Sequence, residues 1–240
     1  GSADYLSFTP SSTTGNKKFT FSCWLKTSAS HSPAGTVFSA LTDDTNRCAI
    51  QLEDTGFLDF HSDVSNTRIT DLHTTSKYLD PTAWFNLILV YDSTVATPSG
   101  SNIFYMINGT KVVEGGYGEL DAHTYPSQNG VTQFCTASTP MVIGMFNYSS
   151  TPQSFYKGYI AEVILLDGTA STDGSEFGGY DTSGNWVPKD PSGLTFGTNG
   201  FHLDFALAQG SGNGPGNDVS GNNNDFTNTS LTAAQTTTDT

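Results

Sequence analysis

The chemistry to look for first in a chain with 23 acidic and 9 basic residues is that of paired carboxyl groups. Glycoside hydrolysis places two of them on either side of the scissile bond, one acting as acid or base and the other as nucleophile or base. A Glu-x-Asp-x-x-Glu strand supplies such acids because alternate side chains of a strand share a face. The nearest match is Glu119-Leu120-Asp121-Ala122-His123-Thr124, in which Thr124 stands where the last acid should be. The dyad is incomplete, so the expectation is no enzyme and no catalytic residue. There is no Gly-x-Ser-x-Gly elbow for a nucleophilic serine. His31, His61, His73, His123 and His202 lack the spacing of a helical zinc site, and most read as exposed polar side chains rather than ligands.

One loop has oxygen donors at metal-like spacing. Asp218, Ser220, Asn222, Asn224 and Asp225 surround Gly221, and alternating Asp and Asn oxygens suit a hard cation such as Ca²⁺. The same residues form an Asx-rich turn when their side chains cap backbone amides. The loop lacks the terminal Glu of a twelve-residue calcium loop, which favours the turn. Ca²⁺ is the one cofactor to consider.

Sugar binding asks for aromatic faces beside fixed hydrogen-bonding groups, because a pyranose presents C–H patches as well as hydroxyls. Tyr117, Tyr125, Asn129, Phe146, Asn147 and Tyr148 lie in Gly-, Ser- and Asn-rich connections and are the candidate ligand-binding residues. Aromatics in long loops also pin those loops to the body of a domain. Trp84 and Trp186 are read as such anchors.

The elements that must carry these residues are strands. Short runs alternating apolar and polar residues recur between Gly, Pro, Asn and Ser clusters, while helical periodicity is scarce. Phe19–Leu25 alternates with Phe19, Phe21, Cys23 and Leu25 on one face and Trp24 on the other; Cys48–Leu52 and Phe57–Phe60 read as a hairpin turning at Gly56. Trp84–Tyr91 is almost continuously apolar and should be a central strand covered on both faces. Ile103–Ile107 is its expected neighbour, closed by an Asn108-Gly109 type I′ turn. Met141–Gly144, Tyr159–Leu166 and Phe201–Phe205 complete the apolar strands, with a long surface excursion after Gly168. The expectation is an all-β, two-sheet antiparallel sandwich with Phe21, Cys23, Ile50, Leu87, Leu89, Val142 and Ile160 in the shared core. Cys23 and Cys48 read as buried thiols rather than a disulfide.

Two hundred and forty residues fit one sandwich domain with long loops. A formal net charge of −14 disfavours a nucleic-acid partner, since the chain has no excess of Lys or Arg to neutralise phosphates. No apolar stretch reaches the roughly 20 residues of a membrane span. Gly1-Ser2 reads as the remnant of an expression tag. Residues 3–227 read as the domain, and residues 228–240, rich in Thr, Ser, Ala and Gln, as a linker to a following region.

Several segments in order also carry a resemblance. They include Asp4-Tyr5-Leu6 with Thr9-Pro10, the strand containing Trp24, Asp80-Pro81 before Trp84, Tyr125-Pro126-Ser127-Gln128-Asn129, Gly158–Val163, Trp186-Val187-Pro188, Gly197–Phe201 and Ser220-Gly221-Asn222. Together they resemble a laminin G-like, concanavalin A-like jelly-roll domain found in structural proteins of tailed bacteriophages. That resemblance implies a module of a virion part such as a tail fibre, binding a host-surface carbohydrate. The partners it implies are a host cell-surface glycan or other virion proteins, with a homotrimer as the full-length assembly. A purely structural or decorating domain of the virion and a divergent glycoside hydrolase are the competing readings, because a fold does not fix its ligand.

Overall fold

The computed structural model describes residues 4–29, 32, 34–115, 119–149 and 151–232. In chain order its strands begin with β1 (Tyr5–Phe8), β2 (Lys18–Thr27), β3 (Gly35–Asp43), β4 (Asn46–Leu52), β5 (Phe57–Val64) and β6 (Thr67–Lys77). The middle of the chain gives β7 (Phe85–Asp92), β8 (Ile103–Ile107), β9 (Thr110–Lys111), β10 (Leu120–Thr124), β11 (Met141–Ile143), β12 (Phe146–Tyr148) and β13 (Thr151–Gln153). Then follow β14 (Gly158–Asp167), β15 (Gly178–Tyr180), β16 (Trp186–Pro188), β17 (Phe201–Leu203) and β18 (Thr227–Thr229).

Two antiparallel sheets make the sandwich. The first runs β10-β6-β5-β4-β3-β11-β1-β18, the second β17-β14-β2-β7-β8-β9. They meet through aromatic rings: Phe21 of the second sheet stacks on Phe38 of the first with centroids 4.6 Å apart, and Phe38 stacks on Phe134 at 4.3 Å. Each large apolar side chain removed from water contributes about 1.5–3 kcal/mol, so a core of this kind dominates the folding free energy. Cys23, Cys48 and Cys135 are free and buried, and burial pushes the Cys48 thiol up to about 12. They are packing residues.

The expected β4–β5 hairpin, the wholly buried β7 and its pairing with β8 are all present. Asn108 and Gly109 both have positive φ, 48° and 73°, as a type I′ turn requires. Phe21, Cys23, Ile50, Leu87 and Leu89 lie in the shared core. Val142 does not. Its neighbours Met141 and Ile143 face the core, so period two turns Val142 to the outside of the first sheet. Ile160 is only partly buried at the core's margin, just before an irregularity between Ala161 and Ile164 where Glu162 has a φ of 49°.

The excursion after Gly168 is a third layer. Phe177 and Phe196 cover Ile88, Val90, Phe104, Met106, Ile164 and Leu166 on the outer face of the second sheet. Trp186 fastens it: its indole Nε1–H donates to Asn86 Oδ1 at 3.1 Å, and its ring lies against Gly109 and Gly178, where a Cβ would clash. At the other end the first sheet runs past residue 227. Thr227–Thr229 pairs with Tyr5–Ser7, and Leu231 packs on the core.

Candidate functional site

One end of the sandwich opens into a cleft of about 340 Å³. It lies where β1 and β14 begin, β11 and β17 end, and Trp84 leads into β7. Trp84 and Tyr159 form its aromatic wall, with ring centroids 6.3 Å apart and tilted by 56°. Lys26, the cross-strand partner of Tyr159, holds its ammonium 5.4 Å from the Tyr159 ring and 5.9 Å from that of Trp84. Such cation–π contacts fix ring orientation and leave the opposite faces available for packing. Tyr159 is 42% exposed.

Backbone choices create the opening. Gly144 takes a φ of 88°, which turns the chain after β11, and its carbonyl accepts the Tyr156 N–H at 2.9 Å. A Cβ at Gly158 would come within 2.3 Å of the Lys26 carbonyl, so only glycine lets β14 approach β2 there. Asp4 and Asp204 add carboxylates to the cleft, and Asp204 Oδ1 accepts the Ala206 N–H at 3.0 Å. Tyr156 also lines it; burial pushes its phenol far above the ordinary value, so the group stays a neutral hydroxyl. That hydroxyl is buried and has no hydrogen-bond partner among the described residues.

A second, smaller cavity of about 180 Å³ lies on the outer face of the first sheet, over β1, β11 and β3. Tyr5 is a wall of both cavities. The segment Met145–Asn147 roofs the smaller one, tied down by Ser39 Oγ–H donating to the Met145 carbonyl at 2.7 Å. Asn147 lines it, with its carboxamide oxygen buried and without a hydrogen-bond partner among the described residues.

The residues proposed from the sequence are scattered. Tyr117 lies outside the described residues. Tyr125 is half-buried on the core margin, 5.5 Å from the His123 ring. Asn129 is exposed at a φ of 64° and donates its N–H to the Ser93 carbonyl. Phe146 is buried edge-on to His61, and Tyr148 takes the Arg47 guanidinium 4.9 Å from its ring centroid. Of the six, Asn147 lines a cavity. Trp84, read as an anchor, lines the large cleft, as do Tyr5, Tyr156, Tyr159 and Phe205. The signal was available: Lys26 and Tyr159 both lie at the open ends of apolar strands, where side chains leave the core.

The calcium candidates form the hydrogen-bonded turn. Asp218 Oδ1 accepts the N–H groups of His202 and Ser220, while Oδ2 accepts Ser220 Oγ–H and the Asn224 N–H, all at 2.8–2.9 Å. Asp225 Oδ1 accepts the Asp218 N–H at 2.8 Å. Asn222 and Asn224 direct amide N–H groups at the carbonyls of Gly197, Thr198 and Gly200. Donors converge on these oxygens, which does not fit a bound cation. Among the described residues no group of three or more His, Cys, Asp or Glu is arranged to hold a metal.

The structure also assembles a charged strip that the sequence reading overlooked. Asp59, His61 and Asp63 alternate along β5 and share the outer face of the first sheet, all buried. His61 Nδ1 lies 2.7 Å from Asp59 Oδ2. Asp63 accepts Arg47 Nε–H at 2.8 Å and Arg68 Nε–H at 2.9 Å. Burial works against its charge, but the Arg68 and Arg47 guanidinium groups hold Asp63 below the usual carboxylate range. On β6, Asp71 is pushed up by burial and by the Asp59 charge. His73 bridges Asp121 and Glu53, so the acid of the incomplete Glu119–Thr124 motif is spent on an imidazole. The missed signal is the Asp-x-His-x-Asp alternation, hidden because the apolar count falls after Phe60.

Among solved structures, the fold is similar to a carbohydrate-binding-assigned protein from Bacteroides ovatus, with a TM-score of 0.60 and 16% identity. That match covers 95% of this chain and 56% of the other, so the chain spans a little over half of that protein. It is also similar to a SAP-like pentraxin from Limulus polyphemus (TM-score 0.47, 14% identity, 71% and 72% covered). A sialidase CBM40 from Ruminococcus gnavus gives a TM-score of 0.47 at 13% identity, with 66% and 80% covered. No curated protein matches the sequence. A family model does, over residues 1–173, and with the two-sheet topology it establishes that the chain belongs to the concanavalin A-like lectin/glucanases superfamily.

Proposed function

We propose that this chain is a carbohydrate-recognition module without catalytic activity, binding its sugar in the cleft at the end of the sandwich. One observation carries the reading: Trp84 and Tyr159, oriented by Lys26, share a single cleft with Asp4 and Asp204. Aromatic faces suit the C–H patches of a pyranose, and carboxylates accept from its hydroxyls. A volume of about 340 Å³ sits at the lower end of the roughly 300–1,000 Å³ of small-molecule sites. Family membership and the likeness to a Bacteroides protein assigned to carbohydrate binding support the same reading.

The absence of catalysis is supported by how the acids of the strip are engaged: Asp63 is held by two arginines, Asp59 by His61 and Asp121 by His73. The resemblance to tailed-phage structural domains supports a finer reading, in which the module sits on a virion and attaches it to a host-surface glycan. Several copies on one particle would then raise avidity by roughly 10²–10⁴ without a new contact.

A glycan array tests this. The protein should bind a set of glycans sharing one sugar, release no reducing ends from them, and lose the signal in Trp84→Ala while Tyr125→Ala keeps it. Absence of binding by the unmodified protein overturns the reading, and released reducing ends replace it with a hydrolase.

A further inference from the structure

The cleft at the end of the sandwich is electrically one-sided. Asp4 and Asp204 line it, and among the described residues no Lys, Arg or His does. The nearby bases are occupied elsewhere: Lys26 holds its ammonium against the Tyr159 and Trp84 rings from outside the lining, and Lys157 Nζ–H donates to the Ser32 carbonyl. Asp204 uses Oδ1 to accept the Ala206 N–H at 3.0 Å. Its Oδ2 has no hydrogen-bond partner among the described residues and is not among their sealed-off oxygens, so it is open to a donor in the cleft. Asp4 acts through its charge rather than by contact. A cavity of about 340 Å³ is small enough to keep a bound ring within one Debye length, roughly 8 Å at physiological salt, of its lining groups.

The aromatic wall favours the same sign of charge. Indole and phenol faces carry the negative side of a quadrupole and attract cations, indole most strongly. Lys26 shows that attraction within the molecule, at 5.4 Å from the Tyr159 ring and 5.9 Å from that of Trp84. From a wall that draws cations and an open carboxylate oxygen in one cleft, we infer that the sugar it takes is a hexosamine with an unacylated amine, in preference to a neutral or carboxylated sugar. This rests on the carbohydrate reading above and names the sugar class. The C–H face of the ring packs on Trp84 and Tyr159, and the ammonium turns to Asp204. A neutral hydroxyl can also donate to Asp204, but an ammonium offers three donors, and hydrogen bonds between ionised partners are roughly twice as strong as neutral ones. A carboxylated sugar brings like charge to Asp4 and Asp204. The single charge of Lys26 offsets one of these two carboxylates, which leaves the cleft net negative.

The test is isothermal titration with methyl glycosides of the gluco, galacto and manno series, each as the free 2-amino sugar, its N-acetyl form, the neutral parent and the uronic acid, with choline as a cation that is not a sugar. In the series that binds, the free amine should exceed its N-acetyl form in affinity by about tenfold, the uronic acid should bind weakest, and the preference for the amine should shrink as salt is raised. Asp204→Asn keeps an acceptor for the Ala206 N–H and removes the charge. It should bring the amine and N-acetyl affinities to within about twofold of each other, with a thermal melt showing that the variant is folded. Neutral, N-acetyl or carboxylated sugars binding as tightly as the amine, or a preference for the amine untouched by Asp204→Asn, overturns the hexosamine inference while leaving sugar binding intact. Failure of every sugar to bind, with or without binding of choline, overturns the carbohydrate reading itself.

Discussion

The charged strip on β4–β6 and the aromatic cleft at the end of the sandwich are both polar regions set into a β framework, yet they are finished differently. In the strip, Asp63 sits between Arg47 and Arg68, Asp59 against His61, and His73 between Asp121 and Glu53. At the cleft, Trp84 and Tyr159 stand as an aromatic wall beside Lys26. A buried polar group costs free energy unless it is paired. The strip pairs its charges within the chain and so serves the fold; the cleft keeps an aromatic wall open, with Tyr159 42% exposed. Exposure of the aromatic wall, more than polarity, sets the candidate site apart from the structural cluster.

That contrast can be broken by mutation. The largest effect is expected at Asp63: replacing it by Ala takes the shared carboxylate from two guanidinium groups, leaving Arg68 with Asp71 and Arg47 with the Asp44 carbonyl, and should cost about 3 kcal/mol in urea denaturation, with glycan binding within about twofold. A loss below about 1 kcal/mol would show that the strip is not structural. Trp84→Ala should do the reverse. Glycan affinity falls by about thirtyfold, the size of a hot-spot truncation near 2 kcal/mol, and stability changes by less than about 1 kcal/mol because the ring is half-exposed.

A smaller effect sharpens the comparison through pH. Burial would lower the His73 imidazole, but hydrogen bonds to Asp121 and Glu53 raise it above its ordinary 6.5. A raised folded-state value means that this bridge stabilises fully below about pH 6.5 and fades as the pH rises through the raised value. The stability difference between the protein and Asp121→Asn should therefore shrink from pH 6 to pH 9, starting under about 1 kcal/mol because Asp121 is half-exposed. A difference constant across that range removes the bridge from the strip. The smallest effect concerns the Asp218 turn. Its oxygens already accept protein donors, so chelator or millimolar Ca²⁺ should leave the melting midpoint unchanged; a rise with Ca²⁺ would show that the loop rearranges around the ion.

Much of the sandwich was legible because period two is a local signal. Phe19–Leu25, Cys48–Leu52 and Ile103–Ile107 alternate or run apolar strongly enough to declare both strand and face. β6 was not read, since its inward positions are Thr70, Leu72 and Thr74, and threonine gives little apolar contrast. β3 begins at Gly35 just after Pro33, a pair that reads as a turn. Val142 was assigned to the wrong face because three apolar residues in a row carry no parity; the pairing of Met141 with Ala40 and Phe8 sets it.

The sequence by itself determined the all-β class, the antiparallel hairpins, the thiol state of the cysteines and the acidic surface, all of which follow from residue type and nearest-neighbour spacing. Only the tertiary structure decided the site. Lys26, Trp84 and the Tyr156–Tyr159 segment come from three separate stretches of chain, and no local pattern brings them together. Sheet order does so, by laying β14 against β2 and β7 against its other edge, so that strand ends far apart in sequence close one cleft. Loop aromatics such as Phe146, which composition favoured, were instead claimed by packing, because a ring beside an unfilled sheet face gains more by burial than by waiting for a ligand.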